Sequence, residues 1–243
     1  DQTHLQSAVE TINRHYKNEA CAAYRDYREL LAHPDLDAVM IAVPDHWHAL
    51  ISVAAARRKK DIYGEKPLAK TIAEQQAIVR AVQQNKVIWQ TGSWRRSEAW
   101  FRHAAEIVRN GLIGEVKRVE VGLLGGHMDF LQRFKRINAS FTAQPPPPEL
   151  DYEQWLGPAR AEPYIQARVH MNWRWNENTG GGMLMDWVGH HGDIAHWGLD
   201  CDRSGPSEIE GVGEFPAADE VFNTCTKYRI EFKYPGNVQL IMA

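Results

Sequence analysis

The sequence lacks the features of several protein classes. Its three cysteines, Cys21, Cys201 and Cys225, lie far apart and form no CxxC pair, so we expect neither a disulfide framework nor a cysteine zinc site. No apolar run approaches the roughly 18 to 20 residues of a membrane helix, and the first residues do not resemble a signal peptide. We therefore expect no membrane partner. Localisation stays open between the cytoplasm and, if an export signal preceded Asp1, the periplasm.

A large excess of charge of either sign is also missing. The net charge is -3, and the basic residues are scattered apart from a short run at 57–61, so we expect no nucleic-acid partner. The content of 44% hydrophobic and 24% charged residues is typical of globular proteins. A chain of 243 residues is long enough for one large domain or two smaller ones, and we expect it to bind small molecules or other proteins.

Residues 1–94 alternate between helices and short apolar strands. Strand, helix, strand, helix, strand in this order predicts parallel crossovers and a doubly wound α/β sheet, in which ligands bind beyond the carboxyl ends of the strands. The sequences at those ends are PDHWH, EKP and QTGSWRR. The predicted strands cover 37–44, 61–67 and 86–92, and the predicted helices cover 4–16, 48–60 and 71–85.

The pattern changes in residues 95–243. A helix at about 97–110 is followed by alternating strands, which predict an α+β domain with a mainly antiparallel sheet. A long insertion between the first two strands carries a polyproline segment and a stretch rich in tryptophan and arginine, and such insertions are more often functional than idle. The predicted strands cover 115–124, 207–215, 225–234 and 237–243.

Three stretches together resemble the Gfo/Idh/MocA family, which includes glucose-fructose oxidoreductase and inositol dehydrogenase. They are DLDAVMIAVPDHWHA, DIYGEKPLAKT and GGGMLMDWVGHHGDIAHW, and the resemblance covers essentially the whole chain. It implies a Rossmann-like dinucleotide-binding domain over 1–94, a substrate-binding domain over 95–243, and NAD or NADP as cofactor. It also implies a homo-oligomer that pairs through the antiparallel sheet. ELDYEQWLGPA and RVHMNWRW further resemble a branch of sugar dehydrogenases.

One part of the family's pattern is missing. A Rossmann domain begins with a strand, a GxGxxG turn and a helix whose amino terminus receives the pyrophosphate, and no such turn occurs in this sequence. The sequence also stops within a predicted strand at VQLIMA. We therefore expect a partial Rossmann-like domain, incomplete at its amino terminus, and a second domain incomplete at its carboxyl terminus.

Lys66, in GEKPL, follows a predicted strand at the ligand-binding edge of the sheet. The alternative is an ordinary solvated lysine near a turn. The resemblance implies that Lys66 lies beside the nicotinamide and the reacting hydroxyl, where a cation favours the developing alkoxide. Glu65 and Pro67 are expected to shape the turn that directs it.

Asp186 and His190 follow three glycines and stand four residues apart, so a helix would present both on one face. A histidine there can take a hydroxyl proton, and the family's DxxxH motif implies His190 as the acid/base and Asp186 as its partner or a substrate ligand. An exposed ion pair is the alternative. Asp193 is a candidate for contacting substrate or orienting His190, whereas His191 and His196 are expected to be structural.

A metal site formed by Asp186, His190 and Asp193 is a rival hypothesis, because their spacing gives one helical stripe. We disfavour it and expect no metal, since the EKP turn would then have no role. The resemblance implies that the loop after the first strand borders the cofactor, although capping of the next helix is equally open there. The candidate cofactor-binding residues are Pro44, Asp45, His46, His48, Glu65, Lys66, Pro67, Gln90 and Gly92.

Aromatic and arginine side chains just before the catalytic segment are candidates for binding a sugar. Aromatic faces stack on sugars, and guanidinium groups form paired hydrogen bonds, so Arg168, Trp173 and Trp175 are predicted substrate ligands. Ordinary packing of these side chains is the alternative.

The sequence thus predicts an NAD(P)-dependent oxidoreductase acting on a secondary hydroxyl of a sugar, sugar derivative or cyclic polyol. One alternative is an NAD-dependent glycosidase that oxidises its sugar transiently. Another is a noncatalytic sugar-binding or assembly module.

Overall fold

The computed structural model describes residues 1–123, 126 and 139–243. The end of the predicted strand at residue 124 lies outside the described residues. The first half contains a parallel sheet in the order β1-β2-β3, in which Val39 aligns with Ile62 and Ile62 with Trp89. Its strands are β1 Ala38–Ile41, β2 Asp61–Gly64 and β3 Trp89–Thr91.

Helices cross between these strands, as the alternating pattern predicts. In the helix at Ile72–Asn85, Thr71 and Glu74 form a reciprocal capping box that satisfies free backbone N–H groups at its start. Apolar residues of the sheet pack against the alanine-rich face of the helix at Asp45–Arg57, where Ala55 and Ala56 are fully buried. The helices of this half are α1 Gln2–Tyr16, α2 Tyr27–Leu31, α3 Asp45–Arg57 and α4 Ile72–Asn85.

The second half contains a four-stranded sheet in the order β4-β7-β6-β5. β5 pairs with β6 and β6 with β7 in the antiparallel sense, whereas β4 and β7 are parallel. The predicted mainly antiparallel sheet is therefore confirmed, with one parallel pair in it. Its strands are β4 Arg118–Val121, β5 Glu208–Glu214, β6 Lys227–Tyr234 and β7 Val238–Met242.

Helices and short helical turns connect these strands. The helix at Ala99–Arg109 is preceded by a 3₁₀ turn at Trp94–Ser97, which follows directly from the end of the parallel sheet. Further 3₁₀ turns occur at Gln166–Arg168, His170–Trp175 and Pro235–Asn237. The helices are α5 Ala99–Arg109, α6 Tyr152–Leu156, α7 Gly182–Trp187 and α8 Asp193–Gly198.

The segment after the three glycines is not one continuous α-helix. A π-helical turn at Val188–Gly192 separates α7 from α8. Because a π-turn has a wider hydrogen-bonding step than an α-helix, residues across it no longer keep the α-helical spacing. The prediction that one continuous α-helix carries both residues is wrong for this reason, since Asp186 lies in α7 and His190 lies in the π-turn. Within the described ranges, no helix is long and apolar enough to span a membrane.

Candidate functional site

The two halves of the chain meet where Lys66 reaches Asp186. The Lys66 Nζ donates to Asp186 Oδ1 at 2.8 Å and to the Asp186 backbone oxygen at 2.5 Å. Both side chains are largely buried, with 12% and 16% of their surfaces exposed. Lys66 lies just after β2, at the carboxyl edge of the parallel sheet, and Asp186 lies in α7. Two residues 120 positions apart in sequence thus form one buried ion pair.

Arg174 adds a second cation to Asp186. Its Nε donates to Asp186 Oδ1 at 3.2 Å, and its guanidinium carbon lies 4.4 Å from the centre of the Trp173 ring. Burial favours the neutral form of Asp186, but the charges and hydrogen bonds of Arg174 and Lys66 outweigh it, so the pKa of Asp186 is lowered. One carboxylate faces two cations, and the cluster carries a surplus positive charge.

His190 lies in the π-turn, with 9% of its surface exposed. Trp94 and Trp187 contact its ring edge-on at 5.7 and 5.8 Å between centroids. Within the described residues its Nδ1 is buried without a hydrogen-bond partner. Burial, together with the positive charges of Lys66 and Arg95, lowers the pKa of His190 to about 4. The ring is therefore neutral near pH 7 and can accept a proton.

The structure does not show the predicted pairing of His190 with Asp186. The Asp186 carboxylate is engaged by Lys66 and Arg174, and no hydrogen bond joins it to the His190 ring in the described part of the chain. Gly189 explains how the turn approaches Lys66 so closely, because a Cβ at this position would lie 3.2 Å from the Lys66 side chain. Sequence reasoning did not identify Gly189. Its position directly before the histidine of the DxxxH motif was the signal that could have indicated it.

Asp45 is a second buried carboxyl near this cluster. It opens α3, directly after Pro44, and only 4% of its surface is exposed. Burial and the negative charge of Asp186 raise the pKa of Asp45 to about 7, although nearby Arg174, Lys66 and Lys70 oppose the shift. Asp45 therefore titrates near neutral pH, a property that its place in the PDHWH stretch did not reveal.

His46 and His48 have their rings inside the protein. His46 Nδ1 lies 3.2 Å from the Thr179 oxygen and its Nε2 lies 3.1 Å from the Trp155 oxygen. His48 Nε2 lies 2.9 Å from the Val43 oxygen. Their surfaces are 5% and 1% exposed, so both rings hold backbone segments together. A role of these two side chains in cofactor contact stays a prediction, and their backbone is the part of the loop nearer the strand end.

Glu65 and Gly92 meet at the same edge of the sheet. A Cβ at Gly92 would lie 2.8 Å from the Glu65 carboxyl, so a larger residue here would require the Glu65 side chain to move. The Gly92 N–H donates to the Gly64 oxygen at 2.7 Å. Gln90 exposes its side chain at the end of β3, and the peptide bond between Lys66 and Pro67 is cis. The structure therefore gathers the EKP turn and the end of β3 at one edge.

The predicted sugar ligands divide into three situations. Trp175 is 0% exposed and belongs to a hydrophobic core cluster, which contradicts the prediction that it stacks on a sugar. Arg168 is paired with Glu162 at 2.9 Å, and its side chain is 14% exposed. Trp173 is half-buried and carries Arg174 on its face. Of the three, Trp173 keeps the most direct link to the cluster around Asp186.

Asp193 is paired with Arg96, whereas the sequence pattern made it a candidate for contacting substrate or orienting His190. Arg96 donates to both Asp193 oxygens, at 2.7 and 2.8 Å, and to Asp202 at 2.9 Å. No hydrogen bond to His190 is present within the residues described. His191 stacks on Trp187 and His196 bonds the Tyr234 hydroxyl, in agreement with their expected structural roles.

The rival metal hypothesis has no geometric support at Asp186, His190 and Asp193. In the described ranges, the one group of side chains close enough to hold an ion is Asp1, His4 and His170, whose ligand atoms lie within 4.8 Å of one another. All three residues are exposed, and Asp1 already caps α1 by accepting from the His4 N–H.

Family models match both halves of the chain. Residues 3–93 match the oxidoreductase family's NAD-binding Rossmann fold, and residues 98–243 match the oxidoreductase family's C-terminal alpha/beta domain. The chain belongs to the Gfo/Idh/MocA oxidoreductase family. The resemblance inferred from EKP, PDHWH and the DxxxH segment is confirmed, as are the Rossmann-like fold and its link to NAD.

Individual relatives agree with this assignment. The chain is 34% identical over 93 residues to myo-inositol 2-dehydrogenase of Thermotoga maritima, covering 38% of this chain and 28% of that protein. It is 37% identical over 92 residues to levoglucosan dehydrogenase of Pseudarthrobacter phenanthrenivorans, covering 37% and 23%. The solved WlbA dehydrogenase of Chromobacterium violaceum, in complex with NADH and UDP-GlcNAcA, aligns with a TM-score of 0.69 and 16% identity, covering 100% of this chain and 56% of that one.

The chain spans only part of the length of these relatives. It matches about a quarter of each curated relative and just over half of the solved neighbour. At 16% identity the structural likeness shows the fold.

Proposed function

We propose that this chain forms the nicotinamide-facing edge and the acid/base site of an NAD(P)-dependent oxidoreductase that acts on a secondary hydroxyl of a sugar, sugar derivative or cyclic polyol. The observation that carries this proposal is the placement of a neutral His190 beside the Lys66 cation at the carboxyl edge of a parallel sheet. Relatives named for inositol and levoglucosan support the substrate class.

The proposed mechanism assigns a separate task to each side chain of the site. His190 takes the hydroxyl proton, which its neutral ring can accept near pH 7. Lys66 lies close by and favours the alkoxide that develops as the proton leaves. Asp186 holds the Lys66 ammonium in place, and Arg174 pairs with the same carboxylate. A nicotinamide cofactor bound at this edge would supply the hydride acceptor that oxidation of the alcohol requires.

The residues at the sheet edge fit the nicotinamide end of such a cofactor. Gly92, just after β3, has no side chain that would obstruct a ligand, Gln90 exposes an amide, and Lys66 supplies a cation. The sequence contains no GxGxxG turn for the pyrophosphate, so the fit covers this end alone. We propose that residues 1–94 contact the cofactor and residues 95–243 contact the sugar, with Asp193 and Arg168 shaping the second region rather than reacting.

An oligomer through the second sheet remains part of the proposal. Every residue of β5 is exposed, including Ile209 at 60% and Val212 at 73%. Apolar side chains on an exposed edge strand are costly in water, and pairing with a second copy would cover them.

Calorimetric titration of the purified chain with NADH and with NADPH tests the cofactor part. We expect saturable binding that Lys66→Ala weakens, whereas Lys117→Ala, an exposed lysine in the second half, leaves it unchanged. A folded chain that binds neither nucleotide would refute the cofactor assignment.

An assay of NADH formation with inositols and aldoses tests the chemistry. We expect His190→Asn to reduce turnover by about a hundredfold or more, the usual contribution of a general base. Rates of the wild type, Lys66→Ala and His190→Asn that all equal the rate without protein would instead identify a noncatalytic module.

A further inference from the structure

Arg95 lies in an aromatic enclosure beside His190. Its guanidinium carbon lies 4.8 Å from the centre of the Trp94 ring, 5.2 Å from that of Phe101 and 5.8 Å from that of Trp187. Its Nε is buried and has no hydrogen-bond partner among the described residues. Rings that stack on the faces of a planar guanidinium leave its edge N–H groups available for an acceptor in the same plane.

The neighbouring Arg96 has the carboxylate partners that Arg95 lacks among the described residues. Arg96 donates to Asp193 and Asp202, and both of its partners are carboxylates. Arg95, one residue earlier, forms no ion pair with a carboxylate in the part of the chain that the structure describes. A half-buried cation without an anion is costly, and a buried donor left unpaired calls for an explanation such as a ligand.

Arg95 and His190 share the same surroundings. Trp94 and Trp187 contact the His190 ring edge-on and also stack with Arg95. Arg95 is close enough for its charge to act on the His190 ring. A sugar whose hydroxyl reaches His190 would therefore lie within the range of the Arg95 charge.

The charges around His190 also favour an anion. Lys66, Arg174 and Arg95 are cations, and Asp186 neutralises only one of them. Asp45, the other carboxyl in this region, is partly protonated near neutral pH. This group of side chains thus has a surplus positive charge that a neutral polyol would not compensate.

We propose that Arg95 binds an anionic group of the substrate, a carboxylate or a phosphate, so that an acidic sugar is the preferred substrate class. The proposal rests on the proposed function, because it places the sugar at His190. A carboxylate or phosphate accepts two parallel N–H groups from a guanidinium, which adds both affinity and orientation.

Calorimetric titrations with D-glucuronate, D-glucose 6-phosphate and D-glucose test this inference and distinguish the two anions. We expect the chain to bind one of the anionic sugars at least about tenfold more tightly than glucose, as a charge-assisted bidentate contact provides. Arg95→Gln should remove that preference, and Arg95→Lys should keep part of it. Arg102→Gln, which changes an exposed arginine of α5, should leave it intact.

Two results would overturn the inference. One is an unchanged preference in Arg95→Gln, and the other is the absence of any preference for the anionic sugars in the wild type. If Arg95→Gln does not fold, potassium chloride titrated into the wild type gives the answer, since salt should weaken binding of the anionic sugar and not of glucose. NADH binding, measured in parallel, reports on the proposed function separately, because the nucleotide assay contains no sugar.

Discussion

Two carboxylates flank His190, and their surroundings differ in the sign of the surplus charge. Asp186, before the π-turn, faces Lys66 and Arg174, so one anion meets two cations. Asp193, after it, faces Arg96 in an outer cluster that also contains Asp202. Arg109 joins Asp200 and Asp202 in that cluster, which leaves its carboxylates in excess.

This difference indicates that one cluster acts through its charge and the other through positioning. The cluster of Lys66, Asp186 and Arg174, called the inner cluster here, is largely buried, so its surplus positive charge acts on His190 with little screening by water. The outer cluster is more exposed, with 32% of Arg96 and 23% of Asp193 accessible, and it ties α8 to the turn that precedes α5. We infer that the inner cluster sets the chemistry of His190 and that the outer cluster holds the segment in place.

The largest expected effect comes from breaking the inner cluster. Asp186→Asn leaves Lys66 and Arg174 without a carboxylate, and we expect the free energy of unfolding to fall by about 3 kcal/mol, since an unpaired buried charge is costly. Urea unfolding at pH 7 measures the loss. Adding Lys66→Gln should recover part of it, because one unpaired cation is removed. An effect no larger than that of Asp193→Asn would contradict the proposed difference between the clusters.

Asp45→Asn sharpens the comparison by removing the other inner carboxyl. Burial raises the pKa of Asp45 to about 7 from the ordinary 3.8 of an aspartate, so the folded state holds a proton that the unfolded state releases between these pH values. Stability is therefore lost as the pH rises from about 4 through 7. We expect Asp45→Asn to be more stable than the wild type by about 2 kcal/mol at pH 8, with the advantage vanishing near pH 4.

Urea unfolding at a series of pH values measures this difference for Asp45. Asp35→Asn is the matched control, because Asp35 is exposed. A constant difference between Asp45→Asn and the wild type from pH 4 to pH 8 would show that the Asp45 carboxyl is not perturbed by burial.

Sequence reasoning located the edge of the site but not its contacts. The alternation of strands and helices and the EKP and DxxxH motifs correctly placed Lys66 beyond β2 and associated it with Asp186 and His190. The π-turn was not predictable, because the spacing of four residues was interpreted with α-helical geometry. Nor could an aromatic-rich stretch reveal that Trp175 is buried, since core packing and sugar binding favour the same residue types.

Pairings between distant residues were equally inaccessible. Arg96 and Asp193 are 97 positions apart, and which of several basic residues meets which acid depends on how the two halves pack. The proximity of Arg95 and His190 arises in the same way, from Trp94 and Trp187 on different segments. A single sequence contains no direct record of such contacts.

His190→Gln tests whether burial, together with the charges of Lys66 and Arg95, keeps the imidazole neutral. The folded-state pKa of about 4 lies below the 6.5 of an ordinary histidine, so the unfolded state binds a proton first as the pH falls. The wild type therefore loses stability between about pH 6.5 and 4. We expect the decrease in the free energy of unfolding at acid pH to be smaller in His190→Gln than in the wild type, by about 1 kcal/mol at pH 5. Identical acid sensitivity in His190→Gln and the wild type would contradict a lowered pKa. His103→Gln, at an exposed position of α5, is the control.

The smallest expected effect belongs to the outer cluster. Asp193→Asn removes the bidentate acceptor of Arg96, but Asp202 remains beside the guanidinium and both side chains are partly in water. We expect the free energy of unfolding to fall by about 0.5 to 1 kcal/mol, in the range of exposed ion pairs, and the loss to shrink in high salt. The acid sensitivity assigned to His190 should stay as in the wild type. A changed acid sensitivity in Asp193→Asn would mean that the outer cluster also controls the charge state of His190, which would remove the division between chemistry and position.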